Sequence, residues 1–457
     1  MSDLMEAVDA IHSHTAIFTC DHVIDRMLDE VEWPTTAGRL LDPGAGHADV
    51  ILRAIARMDL TPDDVDSVAT RLEAWEFHPE AARISRERIT AALEERGWTT
   101  ASARREAGRI VVERDFLLEG PVLRRFEMIV GNPPYASRSR IPQEYRRLMD
   151  EVVPDYARQD MMHPYLESCS RHLAQGGRLA LVTSDRWLMN ANTSRLREVL
   201  GERLTFDVVE RLGSENPFYV PKTRRRDSPP RVHPVLIVAR NAGGMGVRMG
   251  ADPVMMCTGD ENEHGPTLGD RARIMVAPWM GANGIFVVRR DATDLPDDAL
   301  IPCAVTADIH PHENRLLPLR HAVIRTGLER PADEIMTHLE RELPRMALKG
   351  RRSPPWLPPT TFAHKLPLSR PGLLIPRIAR RLRAIPLPQG VMAVNSNLVV
   401  ADCDDPRMLA AWLDEPEQQE WIARNAPPLE DGYLSITTTL LRRMPARGLQ
   451  DRMRNAA

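Results

Sequence analysis

Cysteine is scarce and scattered in this chain. The five residues, Cys20, Cys169, Cys257, Cys303 and Cys403, contain no C-x-x-C pair. That speaks against a zinc ribbon or a disulfide framework and points to a reducing, cytoplasmic setting. No apolar run approaches the ~18–20 residues of a bilayer span; the longest clear one, Leu179 to Thr183, has the length of a strand. The N-terminus carries acids where a leader would carry a basic region, so no secretory signal is expected. Clustered His, Cys and acid residues at ligand spacing are lacking, and no metal is expected. There is no internal repeat and no low-complexity tail. Lysine is rare, which leaves arginine to carry most of the positive charge.

A chain of 457 residues, 43% of them hydrophobic, can build two cores, and two domains are the natural expectation. A net charge of −4 does not suggest a nucleic-acid binder, but the distribution does. From Arg341 to Arg383 nine arginines and two lysines face one acid, Glu342, whereas acids crowd stretches such as Asp291 to Asp298. Segregation of this kind supplies a local positive surface on a nearly neutral chain.

The first half alternates strand-like and helix-like segments. Strands are expected at Arg39–Leu41, Leu72–Phe77, Arg109–Glu113, Phe126–Val130, Arg178–Thr183, Leu204–Arg211 and His233–Ala239. Helices are expected from Ala48 to about Met58, from Pro79 to Glu94 and around Tyr165 to Leu173, the last stopped by Gln175-Gly176-Gly177. Such alternation implies a mostly parallel sheet covered on both faces, with ligands at the carboxyl ends of its strands. After about Asn241 glycine, proline and methionine rise, and pieces such as Ser353-Pro354-Pro355-Trp356 break any continuous helix. The expected boundary divides an α/β domain, 1–245, from an irregular α+β domain, 246–457.

The sharpest motif follows the fourth strand: Gly131-Asn132-Pro133-Pro134-Tyr135. The prolines stiffen the loop, so the Asn132 carboxamide oxygen and the Pro133 carbonyl can both accept from one planar –NH2 group. Tyr135 offers a face for stacking on a ring, a contact worth ~1–3 kcal/mol on a base. After the first strand comes Asp42-Pro43-Gly44-Ala45-Gly46, where small residues permit close approach of a ligand and Asp42 offers a carboxylate to a charged group. Glu76-Phe77 at the tip of the second strand places an acid where ribose hydroxyls can be held. Asp115-Phe116 beyond the third can accept from an adenine amino group and pack its ring. Each pattern alone is commonly structural, but four in order after successive strands form one site.

With these residues in place, the chain resembles the gamma-class adenine-N6 DNA methyltransferases of TaqI and Eco57I type. Phe18-Thr19-Cys20 is similar to their N-terminal cofactor motif. Asp160 ahead of Tyr165-Leu166-Glu167, Gly177 to Val182, Trp187-Leu188 and the stretch Leu429 to Pro445 are similar to later motifs. Phe218 matches the place of a second base-contacting aromatic. Three positions depart from the pattern: Ala48 stands for glycine, Cys20 for proline and Met162 for tyrosine, and Ala48 is expected to crowd the cofactor.

The resemblance implies a Rossmann-like methyltransferase domain with a mostly parallel seven-stranded sheet, followed by a target-recognition domain. It implies S-adenosyl-L-methionine as cofactor, held by Thr19, Asp42, Pro43, Gly44, Ala45, Gly46, Glu76, Phe77, Asp115, Phe116, Asn132 and Pro134. Asn132, Pro133, Pro134, Tyr135 and Phe218 become the catalytic set acting on a flipped adenine. Lys349, Arg351, Arg352, Lys365, Arg377, Arg380, Arg381, Arg224 and Arg225 are expected to grip DNA. The expected partner is double-stranded DNA, with no membrane, the protein being a monomer or weak dimer in a restriction-modification or phage-defence system. No acid–x–Lys nuclease signature occurs and the stretch before Thr19 is short, so cutting is expected of a separate chain. RNA adenine or protein glutamine methylation, or a non-catalytic recognition role, are the alternatives.

Overall fold

The computed structural model describes residues 9, 18–61, 64, 67–118, 125–212, 218–219, 234–241, 246–254, 265–360, 368–394, 397–427, 429, 432–446 and 448–449. The chain divides into two compact units, Met1–Met256 and Cys257–Ala457.

The first unit contains nine described strands: β1 (Phe18–Thr19), β2 (Leu40–Asp42), β3 (Leu72–Glu76), β4 (Val111–Glu113), β5 (Phe126–Gly131), β6 (Leu173–Ser184), β7 (Thr205–Arg211), β8 (Phe218–Tyr219) and β9 (Pro234–Arg240). Seven form one sheet in the order β4-β3-β2-β5-β6-β9-β7. The pairs from β4 through β6 are parallel, and β9 runs antiparallel to both its neighbours. Strands covered on both faces carry apolar residues at nearly every position. Accordingly Leu41, Trp75, Ile129 and Leu181 face one core, and Leu40, Ala74, Met128 and Ala180 face the other.

Helices cover both faces because their apolar residues recur at helical spacing. Helix Pro79–Glu94 buries Ala82, Ile89 and Leu93, with His78 capping its first turn through Ala81 N and proline at its start. The expected strand at Arg109–Glu113 is shorter than its sequence suggested. Arg109 and Ile110 end the helix Thr100–Ile110, and the strand begins at Val111. Ala103, Ala107 and Ile110 continue a buried helical stripe there, and Arg109 pairs with Glu106 one turn back. Likewise Gln175-Gly176-Gly177 is not a stop between helix and strand but an irregularity inside β6. Leu173 lies opposite Phe126 and Arg178 opposite Met128, so the register shifts between them. Gly176 has φ of 76°, and a side chain on Gly177 would meet two carbonyl oxygens at 2.9 Å, which accounts for both glycines.

Helix Met162–His172 is pinned by Glu167, a buried acid that accepts from Tyr156 Oη at 3.1 Å, Arg171 Nε at 2.7 Å and a guanidinium nitrogen of Arg203 at 3.0 Å. Removing one partner of such a group leaves the others unmatched. With both arginines partly in solvent, Glu167→Gln is expected to lower unfolding free energy by about 2 kcal/mol in denaturant titrations. A change below ~0.5 kcal/mol would show that the hub contributes little.

The first unit continues past residue 245. Val247 exchanges backbone hydrogen bonds with Phe206, Val254 N donates to Leu188 O, and the fully buried Arg197 donates to the carbonyls of Ala251 and Asp252. In the second unit, two four-stranded sheets replace the largely irregular chain expected there. One joins Arg273–Val276, Leu398–Asp402, Gly372–Pro376 and Ile385–Leu387; the other joins Val287–Arg289, His321–Ile324, Leu300–Ala304 and Met392–Ala393. Helices at Asp333–Glu342, Pro406–Leu413, Pro416–Asn425 and Thr438–Arg443 complete an α+β unit. Among the described residues, no helix is long and apolar enough to cross a membrane.

Candidate active site

Parallel strands β4, β3, β2 and β5 end along one edge of the sheet, and the four sequence motifs follow there in spatial order. After β2 the chain turns sharply: Gly44 N donates to Asp42 Oδ1 at 3.3 Å and Ala45 N to the Trp75 carbonyl at 3.0 Å. Gly46 takes φ of 53° and has open space where a Cβ would stand, so the turn leaves room for a ligand. Ala48 also adopts φ of 65°, in the left-handed region that costs a non-glycine residue ~1–2 kcal/mol. Its methyl is fully buried in the core, which is where the departure from glycine is absorbed.

Glu76 closes the turn from the next strand. One carboxylate oxygen accepts from Gly46 N at 2.7 Å and the other from His78 N at 2.8 Å, so the carboxylate is fixed in place. Asp115 is fixed in the same manner, accepting from Leu117 N at 2.8 Å and from the Tyr145 hydroxyl at 2.9 Å. Tyr145, a residue no motif indicated, thus orients a candidate cofactor ligand, and its ring lies 6.0 Å from that of Phe77. Phe116 packs on Tyr165 at 5.2 Å, and the Tyr165 ring passes over Gly44, 3.6 Å from where a Cβ would stand. Asp42, Gly44, Gly46, Glu76, Phe77, Asp115 and Phe116 therefore form one connected crescent.

The crescent is rich in acids. Burial foremost, together with the charges of Glu76 and Asp49, pushes the Asp42 carboxyl up to about 8, against a partial offset from Gly44 N. Burial also raises Glu76 above the usual carboxylate range, with backbone N–H groups opposing. Two buried acids raised mainly by desolvation, with open space beside Gly46, suit a cationic, hydroxyl-bearing ligand such as the expected cofactor.

The loop after β5 adjoins the crescent directly. A Cβ on Gly131 would lie 3.2 Å from Asp42 Oδ1 and from Pro43 Cδ. Asn132 then presents its carboxamide: Nδ2 donates to Thr19 Oγ1 at 3.1 Å, and Oδ1 accepts from the Tyr135 hydroxyl at 2.6 Å. The same hydroxyl reaches the Val182 carbonyl on β6 at 2.7 Å. Pro133 is buried, and Asn132, Pro134 and Tyr135 are half-buried. Burial, then the charge of Asp160, keeps the Tyr135 phenol protonated well above its usual range. Strand β1 pairs antiparallel with β8, setting Thr19 opposite Phe218. The side chain of Phe218 lies outside what the structure describes.

The expected DNA-gripping cations are less free than their sequence implied. Arg381 pairs with Asp414 at 3.1 Å; among neighbouring cations, Arg370 pairs with Asp402 and Asp404, and Arg341 and Arg345 share Glu342. Arg351 donates to the carbonyls of Met346 and Pro344, which orients the guanidinium without neutralising its charge. Arg380 lies over the Tyr433 ring at 5.2 Å. Arg352 is exposed and Arg377 half-buried. Arg224, Arg225 and Lys365 fall outside the described residues, as does the side chain of Lys349.

Residues 56–218 match the family model of the Eco57I restriction-modification methylases. The segment contains Glu76, Asp115 and Asn132 to Tyr135, whereas Thr19 and the glycine turn precede it. Type II methyltransferase M.PaeR7I of Pseudomonas aeruginosa is 31% identical over 213 residues, which span 43% of this chain and 36% of that protein. Type II methyltransferase M.XhoI of Xanthomonas vasicola is 32% identical over 207 residues, 42% of this chain and 37% of that one. The chain thus spans little more than a third of the length of these relatives. Among solved structures, the Type IIL restriction-modification enzyme MmeI in complex with DNA aligns with a TM-score of 0.56 at 12% identity, covering 96% of this chain and 67% of that one. At that identity the likeness is one of fold.

Proposed function

With the match of residues 56–218 to the Eco57I restriction-modification methylase family as premise, we propose that this protein methylates the exocyclic N6 of adenine in DNA, using S-adenosyl-L-methionine. The observation that carries the reading is the Asn132 carboxamide, tethered at the end of β5 and adjoining the acidic crescent. The cofactor would supply a methyl group activated by its sulfonium charge. Asp42 would hold the charged amino acid end, Glu76 the ribose hydroxyls, and Asp115 the adenine amino group, with Phe116 and Phe77 against the ring. On the substrate side, the second lone pair of Asn132 Oδ1 and the Pro133 carbonyl would accept the two hydrogens of the target –NH2. Those bonds draw the nitrogen lone pair out of ring conjugation, and they strengthen as the nitrogen becomes tetrahedral. Tyr135 and Phe218 would hold the extruded base, offsetting the few kcal/mol that flipping costs.

Radiolabelled cofactor offered with unmethylated DNA, RNA or protein separates the substrate classes. Label in DNA alone is expected; label only in RNA or in protein glutamine would transfer the chemistry to that substrate. A restriction-modification role belongs to the same proposal and is supported by the similarity to the Type II methyltransferases.

Because acids neutralise part of the cation run, only three or four guanidinium–phosphate contacts are expected from it. DNA affinity is then expected to fall ~40- to ~150-fold between about 50 and about 200 mM salt in an equilibrium binding titration. Affinity that does not change with salt would remove the phosphate-gripping surface.

A further inference from the structure

Trp279 lies in the second unit, on the loop between strands Arg273–Val276 and Val287–Arg289, and leaves 47% of its surface in solvent. Its neighbours do the opposite. Ala277 and Met280 are buried in the core, so the ring is held outward between two anchors. A second segment lies against this loop at three points. A Cβ on Gly350 would stand 3.4 Å from Trp279 Cη2, one on Gly281 would overlap the end of the Met346 side chain, and one on Gly284 would lie 2.9 Å from a guanidinium nitrogen of Arg345. The tight turn of that segment, Leu348–Gly350, carries Leu348, which is 79% exposed. An indole and a leucine left in water on a closely packed base form an apolar point that calls for a partner.

The ground around that point is cationic. From Arg341 to Arg352 the described side chains include four arginines, Arg341, Arg345, Arg351 and Arg352, against one acid, Glu342. Glu342 is shared by Arg341 and Arg345, while Arg351 is oriented by carbonyls and keeps its charge. The loop from Ala277 to Gly284 contains no acid. An apolar point inside a cationic rim complements duplex DNA, whose phosphates lie outside and whose flat apolar base faces lie within. We propose that Trp279, with Leu348 beside it, is a wedge that enters the base stack of bound DNA while the rim holds phosphates. The inference takes DNA as partner from the function proposed above. It separates two kinds of contact, because stacking releases no counterions and an arginine on a phosphate does.

The test uses the full chain and sheared genomic DNA of mixed sequence. DNA Kd is read across a salt series, indole fluorescence with and without DNA, oligomeric state by sedimentation, and folding by thermal unfolding. Trp279→Ala is expected to bind about tenfold more weakly at every salt concentration, with the slope of log affinity against log salt unchanged. Trp279→Phe keeps a ring to stack and is expected to bind within about threefold of the parent. DNA is expected to quench the parent's fluorescence more than that of Trp279→Phe, because the lost indole is the one against the bases. Parent-like affinity in Trp279→Ala, or equal quenching in the parent and Trp279→Phe, would overturn the proposal. A parent that self-associates through Trp279 and binds DNA equally well without it would make the patch an interface between copies, and overturn the proposal too. If Trp279→Ala fails to fold, the quenching comparison alone decides. A parent that binds DNA through Trp279 yet transfers no methyl group would instead overturn the functional reading and leave the wedge standing.

Discussion

Asn132→Ala is expected to lower the single-turnover rate of DNA methylation at least ~100- to ~1000-fold while leaving cofactor binding measurable by calorimetry. The size follows from what the carboxamide does. It is the acceptor placed before reaction where positive charge develops on the substrate nitrogen, and removing one such preorganised group typically costs that much. Alanine also strips Thr19 Oγ1 and the Tyr135 hydroxyl of their shared partner, although Tyr135 retains the Val182 carbonyl. The loop itself is braced by Pro133 and Pro134 and by Gly131 against Pro43, so the fold is expected to survive. The contrasting pattern, a lost cofactor site with an intact saturating rate, would make Asn132 a structural corner rather than the amine acceptor. A rate within tenfold of the parent would remove its role altogether.

The second large effect concerns pH. Asp42 is buried with its carboxyl pushed up to about 8, so in the ligand-free protein it carries a proton near neutral pH. A positively charged ligand favours the ionised form, and binding must then expel that proton. Cofactor affinity is expected to rise by about tenfold per pH unit between roughly pH 6 and pH 8 and to level off above, as calorimetry across that range would read. Stability moves in the opposite sense. Between the ordinary carboxyl value near 4 and about 8, the folded protein holds a proton that the unfolded chain has released. Stability of the ligand-free protein therefore falls as pH rises through that window. Asp42→Asn removes the titration. It is expected to raise the unfolding temperature at about pH 8.5 and to weaken cofactor binding there on the order of a hundredfold. Equal affinity at all pH values in the parent, or a variant that binds as tightly, would show that Asp42 does not meet the cofactor's charge.

The placement of the candidate cofactor half was legible because each of its motifs lies at or just after the end of a parallel strand, along one edge of the sheet. Asp42 and Glu76 end β2 and β3, and Asp115 and Asn132 follow β4 and β5. Their supports were not legible. Tyr145 comes from the helix Gln143–Val152 and meets Asp115 only through the tertiary fold; nothing in its neighbours along the chain indicates this. The helix at Thr100–Ile110 was missed because its polar face dominates the local composition, while its buried stripe is Ala103, Glu106, Ala107 and Ile110, with one large apolar residue among them.

The cation run shows the same limit from another side. Glu342 is the one acid between Arg341 and Arg383, but Asp402, Asp404 and Asp414 pair with Arg370 and Arg381 from farther along the chain. Charge segregation along a chain need not survive folding. The second unit hid its sheets for a related reason: its pairings, such as Ile274 with Ala401 and Cys303 with Met392, join residues too distant for local patterning to register.

The identity of the methylated base tests the central claim most directly. Unmethylated DNA incubated with the protein and S-adenosyl-L-methionine, then digested to nucleosides and resolved by mass spectrometry, is expected to yield N6-methyladenine as its one new nucleoside. New N4-methylcytosine or C5-methylcytosine instead, with adenine untouched, would contradict the assignment of Asn132 and its loop to the amine of a flipped adenine.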